Sequence, residues 1–330
     1  MFFLCAAHLP SGRLGEGLIF YKMTIIDAHS HLWLRQDTTV DGKRIVSLNN
    51  GRSIFMDEEV QMLPPFMTDS RNTAEVFLSN MDYARVGAAV VVQELIDGCQ
   101  NDYLIEVQHQ YPHRFFCMGM AWNVDEARAV ADSGLKGIAF PGHRMLDGIP
   151  VSNVSKEKRQ GSLLTLMPVF KLMEERGLVL SMCLGDDERQ IGEMGDVIRE
   201  CPALRVAIGH FGMPTTASFR QQVMLARLGD NVMVESGGIT WLYNAEFYPY
   251  PTAIRRIREA AEWVGMDRLM WGSDYPRTIT AITYRMSYDF VEKSTELTGG
   301  EKALFLGQNA LRFYGFSNLP QLPYIKNMSE

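Results

Sequence analysis

At 330 residues the chain is long enough for two ordinary domains or for one large α/β barrel. With 46% hydrophobic and 22% charged residues it can bury a sizeable core, which excludes disorder, collagen and coiled coil as its main architecture. Lys and Arg total 32 against 39 Asp and Glu, a net charge of -7 with no basic tract, and this argues against nucleic acid or an acidic membrane as partner.

The first segment in chain order, residues 1–22, is apolar at MFFLCAA but lacks the basic flank of a signal peptide. It reads as an N-terminal extension outside the core, as an early start codon would add; the core is expected over 23–330. No apolar run reaches the ~18 residues that a membrane helix needs. Five dispersed cysteines without a CxxC pair suit a reducing cytoplasm.

From Met23 onward, short β-rich runs alternate with longer stretches of helical period. Strands are expected at 24–28, 88–93, 115–120, 136–140, 178–183, 205–209, 232–236 and 268–272. Between them lie helical stretches at 72–86, 101–111, 124–133, 163–176, 188–200, 216–228 and 251–264, and a last amphipathic pair at about 280–296 and 300–314 can close the ring. Eight βα units predict a single-domain (β/α)8 TIM-type barrel. A doubly wound sheet is the competitor, and the lack of any GxGxxG or GxxxxGK[ST] after a strand weakens its nucleotide-binding form. The long segment 33–71, rich in Gly, Pro and Asn, has no clear period and is expected to be a lid or substrate loop.

Only seven histidines occur, and two of them form Asp27-Ala28-His29-Ser30-His31 at the end of the first strand. Alternate strand residues share a face, so His29 and His31 are a ready two-nitrogen ligand set for Zn²⁺ or a similar ion. His210 follows the sixth strand in IGHFG, and Asp274 follows the eighth in MWGSDYP. In a barrel all four converge on one mouth, with imidazoles to hold a metal or polarise a carbonyl and a carboxylate to take a proton from water. Packing histidines or a helix-capping Asp explain each residue singly, but not their common position at strand ends. Weaker candidates on the same face are His143, Arg144, Arg277 and Trp122 as substrate contacts, with either arginine suited to a substrate carboxylate. Rim ion pairs are the plainer reading of each arginine, and Glu235 can be an interior polar group with a hydrogen-bond partner.

IDAHSHLW, GHFGMP, MWGSDYP and the terminal NALRFYGF together resemble the amidohydrolase-related family, over roughly 23–316. HLW, the H-x-G-x-P form and NAxRFYG are most similar to its lactonases for sugar-acid lactones and 2-pyrone-4,6-dicarboxylate. The resemblance implies a metal-dependent barrel in which His29, His31, a fifth-strand histidine and Asp274 bind the ion. Here the fifth strand reads LVLSMCLG and lacks that histidine, while Cys183 is better read as an inert thiol than as a ligand. The missing nitrogen favours lactone opening over decarboxylation, whose chemistry needs a firmly held metal.

The expected activity is therefore hydrolysis of a lactone of a small hydroxylated or carboxylated acid. Asp274 would be the base, His29 and His31 would polarise the carbonyl directly or through a divalent ion, and His210 would hydrogen-bond substrate or oxyanion. The alternatives are a metal-dependent decarboxylase of an aromatic or muconate-type acid, and a catalytically silent barrel that binds a ligand. A small-molecule substrate is the partner expected, and the aromatic stretch WLYNAEFYPYP reads as lining either the pocket or a homo-oligomer interface.

Overall fold

A computed structural model describes residues 23–146, 149–150, 161–323 and 325–326; the proposed extension 1–22, the Arg144 side chain and 151–160 lie outside the described residues. Eight parallel strands form one sheet: β1 (Ile25–Ser30), β2 (Val86–Val91), β3 (Phe115–Gly119), β4 (Gly137–Phe140), β5 (Val179–Met182), β6 (Arg205–Ile208), β7 (Val232–Glu235) and β8 (Leu269–Met270), each hydrogen-bonded to the next in this order. The ring closes between β8 and β1, where the Ala28 N–H donates to Trp271 O at 2.9 Å and the His31 N–H to Tyr275 O at 2.8 Å. All eight expected strands and the helices between them are present, so the barrel expectation holds and the open sheet does not. The helices are Ala74–Ala84, Asn101–Gln110, Val124–Asp132, Met167–Glu175, Glu188–Glu200, Phe219–Met224 and Pro251–Val264, followed by Met286–Lys293 and a helical run from Gly299 to Tyr314.

Two apolar layers hold this ring. Inside it, Ile26, Ala28, Val90, Met118, Val179 and Met233 pack together, and Phe313, Tyr314 and Phe316 plug the end from which the strands start. Outside it, the alternate strand residues Val91, Phe115, Leu180, Val206 and Val234 meet helix residues such as Phe77, Leu104, Phe170 and Ile257. Strands buried on both faces read as continuous apolar runs, which is why the sequence displays them so clearly.

The 33–71 segment departs from expectation. It is largely an antiparallel meander with strands at Asp37–Val40, Lys43–Ser47, Arg52–Phe55 and Glu58–Gln61. Its first turn is Asp41-Gly42, with φ of 52° and 75°, the Asp-Gly signature of a two-residue hairpin. That signal stands in TTVDGKRIV and outweighs the weak alternation of the flanks. Val40 and Ile45 of the meander pack on Ile96 in the loop after β2, so the insertion is docked beside the mouth.

Candidate active site

β1 delivers the two histidines through a change of parity. Ile26 and Ala28 point into the barrel, and strict alternation would send Ser30 after them. The register against β2 shifts between Asp27 and Ser30, and His29 and His31 line the cleft at the mouth. An irregularity of this kind re-aims side chains next to active sites. Asp27 anchors the turn. Its Oδ1 accepts from the N–H groups of His29 (3.1 Å) and Ser273 (2.8 Å), and its Oδ2 from the hydroxyls of Ser273 (2.5 Å) and Tyr284 (2.8 Å). Burial pushes Asp27 up to about 6 against the pull of these donors. Four donors on two oxygens suit the ionised form, and they tie β1 to the loop that carries Asp274.

Asp274 and His210 both sit on left-handed backbone within four residues of a strand end, at φ of 59° and 48°. Such conformations cost of order 1–3 kcal/mol and cluster at functional sites. Asp274 Oδ1 lies 3.0 Å from His31 Nε2 and 3.8 Å from His29 Nε2, and its Oδ2 accepts the Trp241 indole N–H at 2.8 Å. Trp241 belongs to the helical turn Ile239–Leu242 after β7. A Cβ at Gly238, where φ is 72°, would collide with the indole nitrogen, so this glycine both permits the backbone and leaves room for the contact.

On their far sides both imidazoles face carboxylates. His29 Nδ1 is 2.8 Å from Glu235 Oε1, and His31 Nδ1 is 3.1 Å from Asp97 Oδ2. Burial opposes charge on either ring, yet Glu235 raises His29, while Asp274 and Asp97 push His31 up to about 9. Burial alone would raise Asp274, but the contact with His31 holds it well below the usual carboxylate range.

This donor set fits a divalent cation. The two Nε2 atoms stand 3.3 Å apart and His31 Nε2 is 3.0 Å from Asp274 Oδ1, an arrangement that a shared proton or a bound cation satisfies. Those nitrogens and an Asp274 oxygen lie within 4.8 Å of one another. Cys183 is outside the group. Burial, together with Glu235, Glu94 and Asp274, pushes its thiol well above the ordinary value, which disfavours the thiolate a metal needs.

His210 joins the cluster, with its ring centroid 4.8 Å from that of His29. Its Nδ1–H donates to Gly237 O at 2.9 Å, so Nε2 is the free nitrogen of the neutral ring. The other candidates are dispersed. Arg277, on the turn Arg277–Thr280, donates to Asp97 Oδ1 at 2.8 Å and lies 5.7 Å from the centre of the Trp33 ring. Trp122 packs edge-on against Phe140 at 5.6 Å and lines a separate surface cleft with Met120 and Ile105. The His143 N–H donates to Cys183 O at 3.0 Å, tying the loop after β4 to that after β5. Asp97 and the anchoring role of Asp27 are absent from the sequence reading, and Trp241 enters it only as the first residue of the aromatic stretch WLYNAEFYPYP. Nothing local marks Asp97, whereas Asp27 stands inside the DAHSH motif itself.

Comparison with known proteins returns the same fold. Similar structures include a probable 2-pyrone-4,6-dicarboxylic acid hydrolase from Acinetobacter baumannii with citric acid bound, at 20% identity and TM-score 0.61, covering 89% of this chain and 100% of that one. An amidohydrolase from Burkholderia multivorans with bound zinc matches at 17% identity and TM-score 0.63, over the same shares. At these identities they show the fold. An L-fucono-1,5-lactonase from Burkholderia ambifaria is 33% identical over 86 residues, which span 24% of this chain and 28% of that relative. The amidohydrolase family model matches residues 26–316, the whole cluster and all eight strands but for Ile25 included, and the chain belongs to that family.

Proposed function

We propose that the protein is a hydrolase that opens the lactone of a small hydroxylated or carboxylated acid. The observation that carries the reading is the meeting of His29, His31 and Asp274 beside His210 at one strand-end mouth. The partial match to an L-fucono-1,5-lactonase supports the reaction type. His29, His31 and Asp274 would hold a divalent ion, zinc by the nitrogen-and-oxygen character of the set. When bound, such an ion supplies Lewis-acid polarisation of the ester carbonyl.

The remaining steps belong to the chain. Asp274 takes the proton of the attacking water, and the Trp241 indole on Oδ2 keeps the carboxylate turned so that Oδ1 faces the histidines. Glu235 Oε1 accepts the Nδ1 proton of His29 and so turns that ring's Nε2 toward the site. His210 offers Nε2 as an acceptor to a substrate hydroxyl, and stabilises an oxyanion only as imidazolium, since Gly237 O uses the other proton. Val92, Ala139, Phe140 and Pro141 form the opposite wall of the cleft and keep water away from the reacting bond. The four described cysteines are free thiols, in keeping with a cytoplasmic location; among the described residues no helix is long and apolar enough to cross a membrane.

The test is a panel of sugar-acid and aromatic lactones with acid release followed by pH-stat, run on the native protein and on Asp274→Asn. Ring opening by the native protein with loss in the variant is expected. Full turnover by Asp274→Asn removes Asp274 as the base, and carbon dioxide release from a carboxylated substrate replaces hydrolysis by decarboxylation.

A further inference from the structure

Asp97 and Arg277 form a buried ion pair whose place in the chemistry is not explained by substrate binding. Asp97 is 1% exposed. Its Oδ1 accepts from Arg277 and from Gln36 Nε2, each at 2.8 Å, and its Oδ2 stands 3.1 Å from His31 Nδ1. That last contact is out of line for a good hydrogen bond. Neither Oδ2 nor Nδ1 has a hydrogen-bond partner, so a small ring rotation would join them. The turn bearing Asp97 is held from both sides. The Asp97 N–H donates to Glu94 O, and Gln100 Nε2 donates to Asp97 O at 2.8 Å.

We propose that Asp97 and Arg277 act as one positioning unit for His31: Arg277 orients and neutralises Asp97, and Asp97 keeps the His31 proton on Nδ1 so that Nε2 presents its lone pair to the site. This rests on the reading of His29, His31 and Asp274 as a cation site. The geometry gives Arg277 little freedom for another task. Its guanidinium sits over the Trp33 ring, its side chain is 20% exposed, and its partner is a carboxylate two contacts away from Asp274. Arg277 is therefore assigned to the protein's own carboxylate rather than to a substrate carboxylate. The wiring also links the insertion to the site, because Gln36 immediately precedes the first meander strand.

The decisive variant is Asp97→Asn. Two donors, from Arg277 and Gln36, hold the Oδ1 position as an oxygen, so the amide NH2 must face His31 Nδ1. The ring then places its proton on Nε2, toward the cation site, the wrong tautomer for a ligand. Arg277→Gln should produce a milder form of the same defect, and Arg277→Lys should recover part of it.

The experiment uses full-length protein stripped of metal, selectively labelled with ¹⁵N-histidine. Long-range ¹⁵N–¹H correlation at one fixed pH above the raised His31 value of about 9, where the ring is neutral, reads the His31 tautomer, and equilibrium dialysis against Zn²⁺ at neutral pH reads affinity. The expected results are Nδ1–H in the native protein and Nε2–H in Asp97→Asn. Zn²⁺ affinity should fall about tenfold to a hundredfold in Asp97→Asn. The double variant should be no weaker than the weaker single one, as for residues acting in one chain of contacts. On a turned-over lactone, kcat should fall with KM nearly unchanged.

An unaltered His31 tautomer in Asp97→Asn overturns the proposal. So does an Arg277→Gln protein that keeps full Zn²⁺ affinity and only raises KM, which would return Arg277 to substrate binding. If the native protein binds no divalent ion, the cation-site reading fails, and the tautomer measurement on metal-free protein still decides the positioning role. Should Asp97→Asn fail to fold, the tautomer and Zn²⁺ affinity of Arg277→Gln decide alone.

Discussion

The two sides of the barrel mouth are built on different principles. Along the seam of β7, β8 and β1 the strand ends carry Glu235, Asp274, His29 and His31, each held by two or more polar contacts with other side chains or backbone. Across the cleft, the ends of β4 and β5 present Ala139, Phe140, Ser181 and Cys183. The seam concentrates proton-accepting groups in a low-dielectric setting where each interaction is strong and each missing partner costly, whereas the far wall supplies shape and dryness. On the proposed reading the chemistry belongs to the seam, and tolerance to substitution should be found on the other side.

Substitutions that distinguish the two sides differ in expected size. Asp274→Asn should lower kcat by about 10³-fold, within the 10² to 10⁴ range for loss of a general base, with an unchanged far-UV spectrum. Asp27→Asn sets an amide NH2 against two of the four donors and should cost about 2–4 kcal/mol in a urea titration, through buried donors left unsatisfied. It should also lower turnover, because the loop bearing Asp274 loses its tie to β1. Metal-stripped protein given Zn²⁺ at 100 times its dissociation constant should gain about 2.7 kcal/mol, seen as a higher melting temperature that a chelator reverses. Gly238→Ala forces a side chain into left-handed backbone at about 1–2 kcal/mol and displaces the indole, so Trp241 fluorescence should change together with turnover. The smallest effect belongs to the far wall. Cys183→Ser should stay within about 1 kcal/mol of native stability, and the native thiol should react slowly with a disulfide reagent at neutral pH, since its pKa is raised. A large loss of activity in Cys183→Ser would break the contrast between the two sides.

How far the sequence was readable follows from the range of the interactions involved. The strands were legible because both of their faces are buried, so runs such as AAVVV and LVLSM announce themselves within five residues. The meander was missed because its strands are half exposed and short, with only the Asp-Gly turn to mark them. Of the site, His29, His31, His210 and Asp274 were legible as polar residues directly after apolar runs. Arg277 was legible as a charge at the rim, and its contact with Asp97, 180 residues away, matches the plainer reading of it as a rim ion pair.

By itself, the sequence determined the barrel, its strand order and four residues at the mouth, His29, His31, His210 and Asp274, since hydrophobic period and motif position are local properties of the chain. Tertiary structure alone decided how those residues are used. The parity change in β1 depends on pairing with β2, the His31–Asp274 contact spans 243 residues, and that between Gln36 and Asp97 spans 61. Proton placement on an imidazole is set by whichever carboxylate the fold brings to its far nitrogen, and no local pattern of residues encodes that neighbour.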